Sequence, residues 1–166
     1  MRKRDLRASI LEVLTEDARI PAADIAAMVG SDEATVADEI KQMEKERIIL
    51  CYTPVVDWQK VTDDEEVDAL IEVKITPQRD YGYDDMARRI YQYDEVVSVY
   101  LMAGAYDLSV RVRARSIQEV SRFVWEKLAV IDGVTSTVTT FIMRKYKEHG
   151  VVLAGERADT RLAVTP

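Results

Sequence analysis

Between residues 96 and 143 the sequence places polar groups at the ends of apolar, strand-like segments. Two alternating stretches, Val96–Ala103 and Tyr106–Arg113, meet at Ala103-Gly104-Ala105-Tyr106-Asp107. A closing stretch follows: Gly133-Val134-Thr135-Ser136-Thr137-Val138-Thr139-Thr140-Phe141-Ile142-Met143. A glycine turn followed by Tyr-Asp, together with a threonine-rich strand, rims an apolar sheet with groups able to hold a small ligand. Catalytic chemistry is not expected. The chain has no Cys/His pair, no phosphate-binding glycine loop and no metal-spaced His/Cys cluster. Its one histidine, His149, lies in the tail. Asp63-Asp64 and Asp84-Asp85 read as a solvated loop and a helix start. No enzyme activity, metal or cofactor is expected.

Positioning that rim takes a sheet with helices on one side, and the second half of the chain supplies both. Val67, Ala69, Ile71, Val73 and Ile75 alternate as a strand. Tyr83, Met86, Ala87 and Ile90 share one helical face. The hairpin comes next. A second helix starts at Ser116, a natural N-cap, with Ile117, Val120, Val124 and Leu128 facing inward. The closing strand is expected from Val134 to about Tyr146. The order βαββαβ is the split ferredoxin-like arrangement. If Leu108, Val110 and Val112 meet the helices, the open face carries Leu70, Tyr100, Met102, Phe141 and Met143. An apolar patch of that kind marks a partner surface, so these five residues are expected in a sheet-to-sheet dimer interface.

The first fifty residues predict three short helices. Leu6, Ile10, Val13 and Leu14 mark the first; Pro21 opens the second, where Ile25, Ala26 and Val29 align. Gly30 suits the left-handed turn that ends it, and Asp32 caps a third helix lined by Val36, Ile40 and Met43. Helix, glycine turn, capped helix is the helix-turn-helix pattern, although a plain three-helix bundle reads the same way. The expected organisation is a helix-turn-helix domain over 1–50, a linker strand and loop over 51–66, the βαββαβ domain over 67–147, and a C-terminal extension over 148–166, of which Val151–Pro166 is expected to be mobile unless a neighbouring chain holds it. The class is α+β.

At 166 residues the chain makes one ordinary domain or two small ones, and 48% apolar residues suffice for a core. Its apolar runs fall far short of the roughly 20 residues of a membrane helix. Met1-Arg2-Lys3-Arg4-Asp5 leads into no apolar signal segment. The lone Cys51 excludes an intramolecular disulfide, fits a cytoplasmic setting, and is expected to be a buried thiol in the run Ile48–Tyr52. The formal charge of −7 argues against a generic nucleic-acid binder but not against a local DNA-binding surface.

With both halves in place, the chain resembles the Lrp/AsnC (feast/famine) transcriptional regulators over roughly residues 5 to 147. The matching segments are Asp17-Ala18-Arg19-Ile20, Met43-Glu44-Lys45-Glu46-Arg47-Ile48-Ile49, Gly104-Ala105-Tyr106-Asp107 and Gly133–Thr139. The resemblance implies a regulator that binds double-stranded DNA and an amino acid or similar effector held between subunits, as a homodimer assembling to an octamer. It implies that Gly104, Tyr106 and Asp107 lie at the effector pocket, with Thr137 and Thr139 across from them. Asp107 would accept from the ammonium; threonine hydroxyls and amides near Gly104 would meet the carboxylate.

The third helix departs from the family pattern. Six acids stand against three bases between Asp32 and Arg47. Glu39 replaces the family's usual arginine, and Arg47 replaces a glycine. Either Glu39 pairs within the chain, for example with Arg7 or Arg19, leaving Thr35, Lys41 and Lys45 with the basic arm Arg2-Lys3-Arg4 to meet DNA; or affinity stays weak until dimers assemble. The alternative function is an effector-binding assembly protein whose helical half serves protein interaction.

Overall fold

The structure is a computed structural model that describes residues 6–61, 66–76 and 82–153. The chain divides into two compact units, Met1–Pro54 and Val55–Pro166.

The first unit contains α1 (Leu6–Glu16), α2 (Ala22–Val29) and α3 (Glu33–Lys45). Ile10, Ile25, Ala26, Val36 and Met43 form its buried centre, with Leu6, Val13, Leu14, Val29 and Ile40 packed around it. The helical spacing of these apolar positions is what brings them together. The Pro21 carbonyl accepts the Asp24 and Ile25 N–H groups at 3.0 and 3.1 Å, which starts α2. Gly30 at φ 71° ends it. The Asp32 carboxylate then accepts the Thr35 N–H at 2.9 Å and the Thr35 hydroxyl at 2.7 Å, capping α3.

The linker strand expected in 51–66 does not form: residues 48–59 contain no strand. A strand needs a hydrogen-bonding neighbour, and the described residues provide none there; Trp58–Lys60 forms a single 3₁₀ turn instead. The buried-thiol expectation for Cys51 is corrected for the same reason. With no sheet to cover it, Cys51 is exposed, its sulfur 3.4 Å from the Thr53 hydroxyl.

The second unit runs β1 (Val67–Ile75), α4 (Tyr83–Ile90), β2 (Val96–Leu101), β3 (Leu108–Ala114), α5 (Ile117–Phe123, prolonged by a π-turn at Val124–Leu128) and β4 (Val134–Ile142). The strands form one antiparallel sheet in the order β2-β3-β1-β4. This is the βαββαβ ferredoxin-like arrangement, with both helices on one face. Ala69, Ile71, Val73 and Ile75 of β1 and Leu108, Val110 and Val112 of β3 pack with Met86, Ile90, Val120, Phe123 and Leu128. Full burial of each such aliphatic side chain contributes roughly 2 kcal/mol. Ile117 is exposed, contrary to expectation. Phe123 takes an inner place three residues after Val120, and the π-turn, closed by Ala129 N–H to the Val124 carbonyl at 2.7 Å, brings Leu128, five residues later, onto the same face.

Two expectations about β4 are corrected by its register. Ala69 pairs with Phe141, Ile71 with Thr139 and Val73 with Thr137. Directly paired residues share a face, so Phe141, Thr139 and Thr137 lie on the helix side, and Phe141 packs against the core. Ile142 and Val138, opposite Asp68 and Glu72, occupy the open face instead. The strand also stops at Ile142 rather than near Tyr146, because its partner β1 begins at Val67.

The chain then turns back. Lys147–Glu148 (β5) pairs with Val151–Val152 (β6), and the Leu153 N–H reaches the Tyr146 carbonyl at 2.9 Å. Lys145 pairs with Asp68, and Glu148 with Arg111, both on the open face. These ion pairs order the start of the extension, up to residue 153, within this chain.

Candidate functional site

The glycine turn meets the C-terminal end of β1. The Met102 N–H donates to the Asp107 carbonyl at 2.8 Å, and the Asp107 N–H to the Val73 carbonyl at 3.0 Å, closing the loop against β1. The Asp107 carboxylate accepts the Ile75 N–H at 2.8 Å and faces the Lys74 ammonium at 3.3 Å. The Ile75 hydrogen bond, and then Lys74, hold this carboxyl below its usual range. Gly104 is exposed, and a Cβ built on it would meet nothing within 4 Å. Tyr106 and Asp107 are half-buried.

Thr137 and Thr139 are also half-buried but stand on β4, with β1 between them and β3. A single chain therefore brings Gly104, Tyr106 and Asp107 together and leaves the two threonines a strand away. Sequence reasoning missed Lys74 and Thr135. Lys74 carries the cation beside Asp107, and the Thr135 hydroxyl donates to the Lys74 carbonyl at 3.2 Å. The missed signal was the alternation of β1, which turns Lys74 outward at the strand's last open position.

The open face gathers charges at Asp68 and elsewhere carries apolar side chains among polar ones such as Glu72 and Thr140. Asp68 is buried and meets Arg111 at 3.1 Å, Arg113 at 3.6 Å and Lys145. Burial pushes its carboxyl upward, but the Lys145 hydrogen bond and the three cations outweigh it and hold it low. Leu70, Tyr100, Val138 and Ile142 stand exposed on the rest of the face. Met102 and Met143 are exposed just past the ends of β2 and β4.

On α3, the acids are largely engaged. Arg7 of α1 reaches Glu39 at 2.6 Å and Glu46 at 2.8 Å, so Glu39 pairs within the chain with Arg7. The Glu46 and Glu39 hydrogen bonds push the Arg7 guanidinium upward, and Glu46 is held low by Arg7. The Tyr52 hydroxyl donates to Glu44 at 2.9 Å. With Asp32 spent on its cap, Glu33 and Asp38 are the carboxylates of this stretch without a partner among the described residues. Lys41, Lys45 and Arg47 are exposed beside them. Arg2, Lys3 and Arg4 lie outside the described residues. Among the described residues no group of three or more His, Cys, Asp or Glu could hold a metal ion, and no helix is long and apolar enough to cross a membrane.

These two halves match known families in the same order. The AsnC-type helix-turn-helix domain matches residues 8–44, and the Lrp/AsnC ligand binding domain matches residues 68–152. The chain belongs to the Lrp/AsnC family. The HTH-type transcriptional regulator YugG of Bacillus subtilis is 45% identical over 166 residues, covering 100% of each chain. The regulatory protein AsnC of Haemophilus influenzae is 30% identical, over 84% of this chain and 90% of its own. The structure of E. coli AsnC superposes with a TM-score of 0.65 at 25% identity, covering 86% of this chain and 93% of that one. As an Lrp/AsnC protein the chain is a transcriptional regulator with a DNA-binding helix-turn-helix and a small-molecule-binding domain, and not an enzyme.

Proposed function

We propose that this regulator senses an amino acid or closely related metabolite at the Gly104–Asp107 end of the sheet, between subunits of a homodimer that assembles further, to an octamer. The Lys74–Asp107 pair beside an exposed glycine turn carries this reading. It offers a cation for the ligand's carboxylate and, on the remaining lone pairs of Asp107, an acceptor for its ammonium. Thr137 and Thr139 would then complete the site from a second subunit. The exposed Leu70, Tyr100, Val138 and Ile142 supply an apolar surface for pairing. DNA would meet the outward side of α3 through Lys41 and Lys45, with the arm Arg2-Lys3-Arg4.

The alternative, an assembly protein whose helical half has lost DNA, rested on the acidity of α3. The engagement of Glu39 and Glu46 by Arg7 weakens that ground. Light scattering with each of the twenty amino acids, followed by a gel shift on the promoter of its own gene, tests the proposal. One amino acid should change both assembly and the shifted band. Ligand binding by calorimetry with no footprint at any salt would favour the assembly protein; no response to any amino acid would sink the effector assignment.

A further inference from the structure

We infer that Asp38 selects a cytosine in the DNA, accepting a hydrogen bond from the base's N4 amino group in the major groove. This rests on the proposed reading of α3 as the DNA-reading helix. Val36 and Met43 are fully buried and fix the direction of the core. At about 100° per residue, Asp38 lies roughly 200° round the helix from Val36, on the side opposite the core. Ala34, Lys41 and Lys45 share that side, and all are exposed. The other outward groups of the first turns are poor readers. Ala34 has no polar atom, and the Thr35 hydroxyl donates to Asp32 at 2.7 Å.

Asp38 and Glu33 differ from the other carboxylates of α3, and of the two Asp38 is the one on the side opposite the core, Glu33 lying about 60° from Val36. Asp32, Glu39, Glu44 and Glu46 each have a partner at hydrogen-bond distance. Asp38 has none among the described residues, and it is exposed in the first half of the helix, the part a helix-turn-helix presents to base edges. An open carboxylate is repelled by phosphates and adds affinity only where DNA offers a hydrogen-bond donor. Cytosine presents its N4 donor with an acceptor, the guanine O6 of its pair, on one side only, whereas the adenine N6 donor lies between acceptors on both sides. Adenine pairs its N6 donor with the N7 acceptor, which suits an amide and repels a carboxylate. Lys41 and Lys45 lie on the same side, the farther about 10 Å along the axis. They suit the phosphates flanking the base that Asp38 reads.

The test is selection from a randomised duplex library with the full-length protein, run in parallel with Asp38→Ala and Asp38→Asn at one salt concentration. Wild type should enrich a C·G pair at a fixed position in each half-site. Asp38→Ala should lose about tenfold preference at that position and keep the rest of the site; Asp38→Asn should move it toward adenine. Thermal melts establish that each variant is folded, and the isosteric Asn variant stands in if the Ala variant is not. Unchanged selected sequences in both variants would overturn the inference. So would uniformly tighter binding with unchanged preference, which would make Asp38 purely repulsive. No enrichment by wild type would instead overturn the reading of α3 as the DNA helix, and this inference with it.

Discussion

Asp107 shows why a residue's role depends on what its carboxylate already holds. It ties the hairpin loop to the end of β1 through the Ile75 N–H. Asp107→Ala strips that amide of its acceptor, at about 1–3 kcal/mol, and so confounds ligand binding with stability. Asp107→Asn keeps a carbonyl for Ile75 and removes the charge. It should hold the unfolding midpoint near wild type, and calorimetric binding of the responsive amino acid should drop at least tenfold if the pocket assignment is right. Undiminished binding in this variant would remove Asp107 from the pocket. Arg47 is a second case. It follows α3 at φ 58°, the left-handed region where a glycine is at ease. Arg47→Gly should raise stability by about 1 kcal/mol, measured by urea unfolding. A loss would mean that the side chain holds something its exposed position does not reveal.

Among the elements, α3 and β4 separate what the sequence revealed from what it hid. The caps at Asp32 and Ser116, the Gly30 turn and the alternation of β1 were all legible, because each depends on a few neighbouring residues. The Glu39 pairing with Arg7 could be named only as one of two options. It joins positions 32 residues apart, and only packing brings them within reach. The facing of β4 was misread because Phe141 and Ile142 are adjacent apolar residues in a threonine-rich edge strand. Pattern alone cannot choose which faces the core; pairing with β1 does. The linker was misread because β-forming residues do not make a strand without a neighbour. The Arg7 clamp leads to a prediction for α3 as a unit. Arg7→Ala frees two carboxylates near the proposed DNA surface, so affinity should fall several-fold on every duplex, most at low salt. Adding Glu39→Gln and Glu46→Gln should restore it. Weakening that persists in the triple variant would assign Arg7 a direct phosphate contact.

At the scale of the whole molecule, the open face joins assembly to stability. Leu70 and Tyr100 are apolar and exposed there, and Tyr100→Glu should shift the light-scattering mass toward monomer. An unchanged mass would move the dimer surface elsewhere. Beside them, Asp68 has a depressed pKa in the folded chain, held by Lys145, Arg113 and Arg111 against the cost of burial. A carboxyl whose folded pKa lies below its unfolded value stabilises fully above the ordinary carboxylate range, and that contribution is lost as pH falls through the folded value. Asp68→Asn should therefore flatten the acid side of the stability–pH profile, read by urea midpoints between about pH 6 and pH 3. A profile parallel to wild type would place the acid sensitivity in other groups. The same ion pairs bear on where the chain can be cut. A protease nicking between Met143 and Lys145 would leave every strand of the four-stranded sheet and every helix in place, yet it would sever Lys145 and Glu148 from the sheet. Asp68 and Arg111 would each lose a charge partner. Such a fragment would keep its secondary structure yet lose stability above the carboxylate range, where the severed pairs contribute, so trimming the tail would weaken the sheet rather than simply shorten the chain.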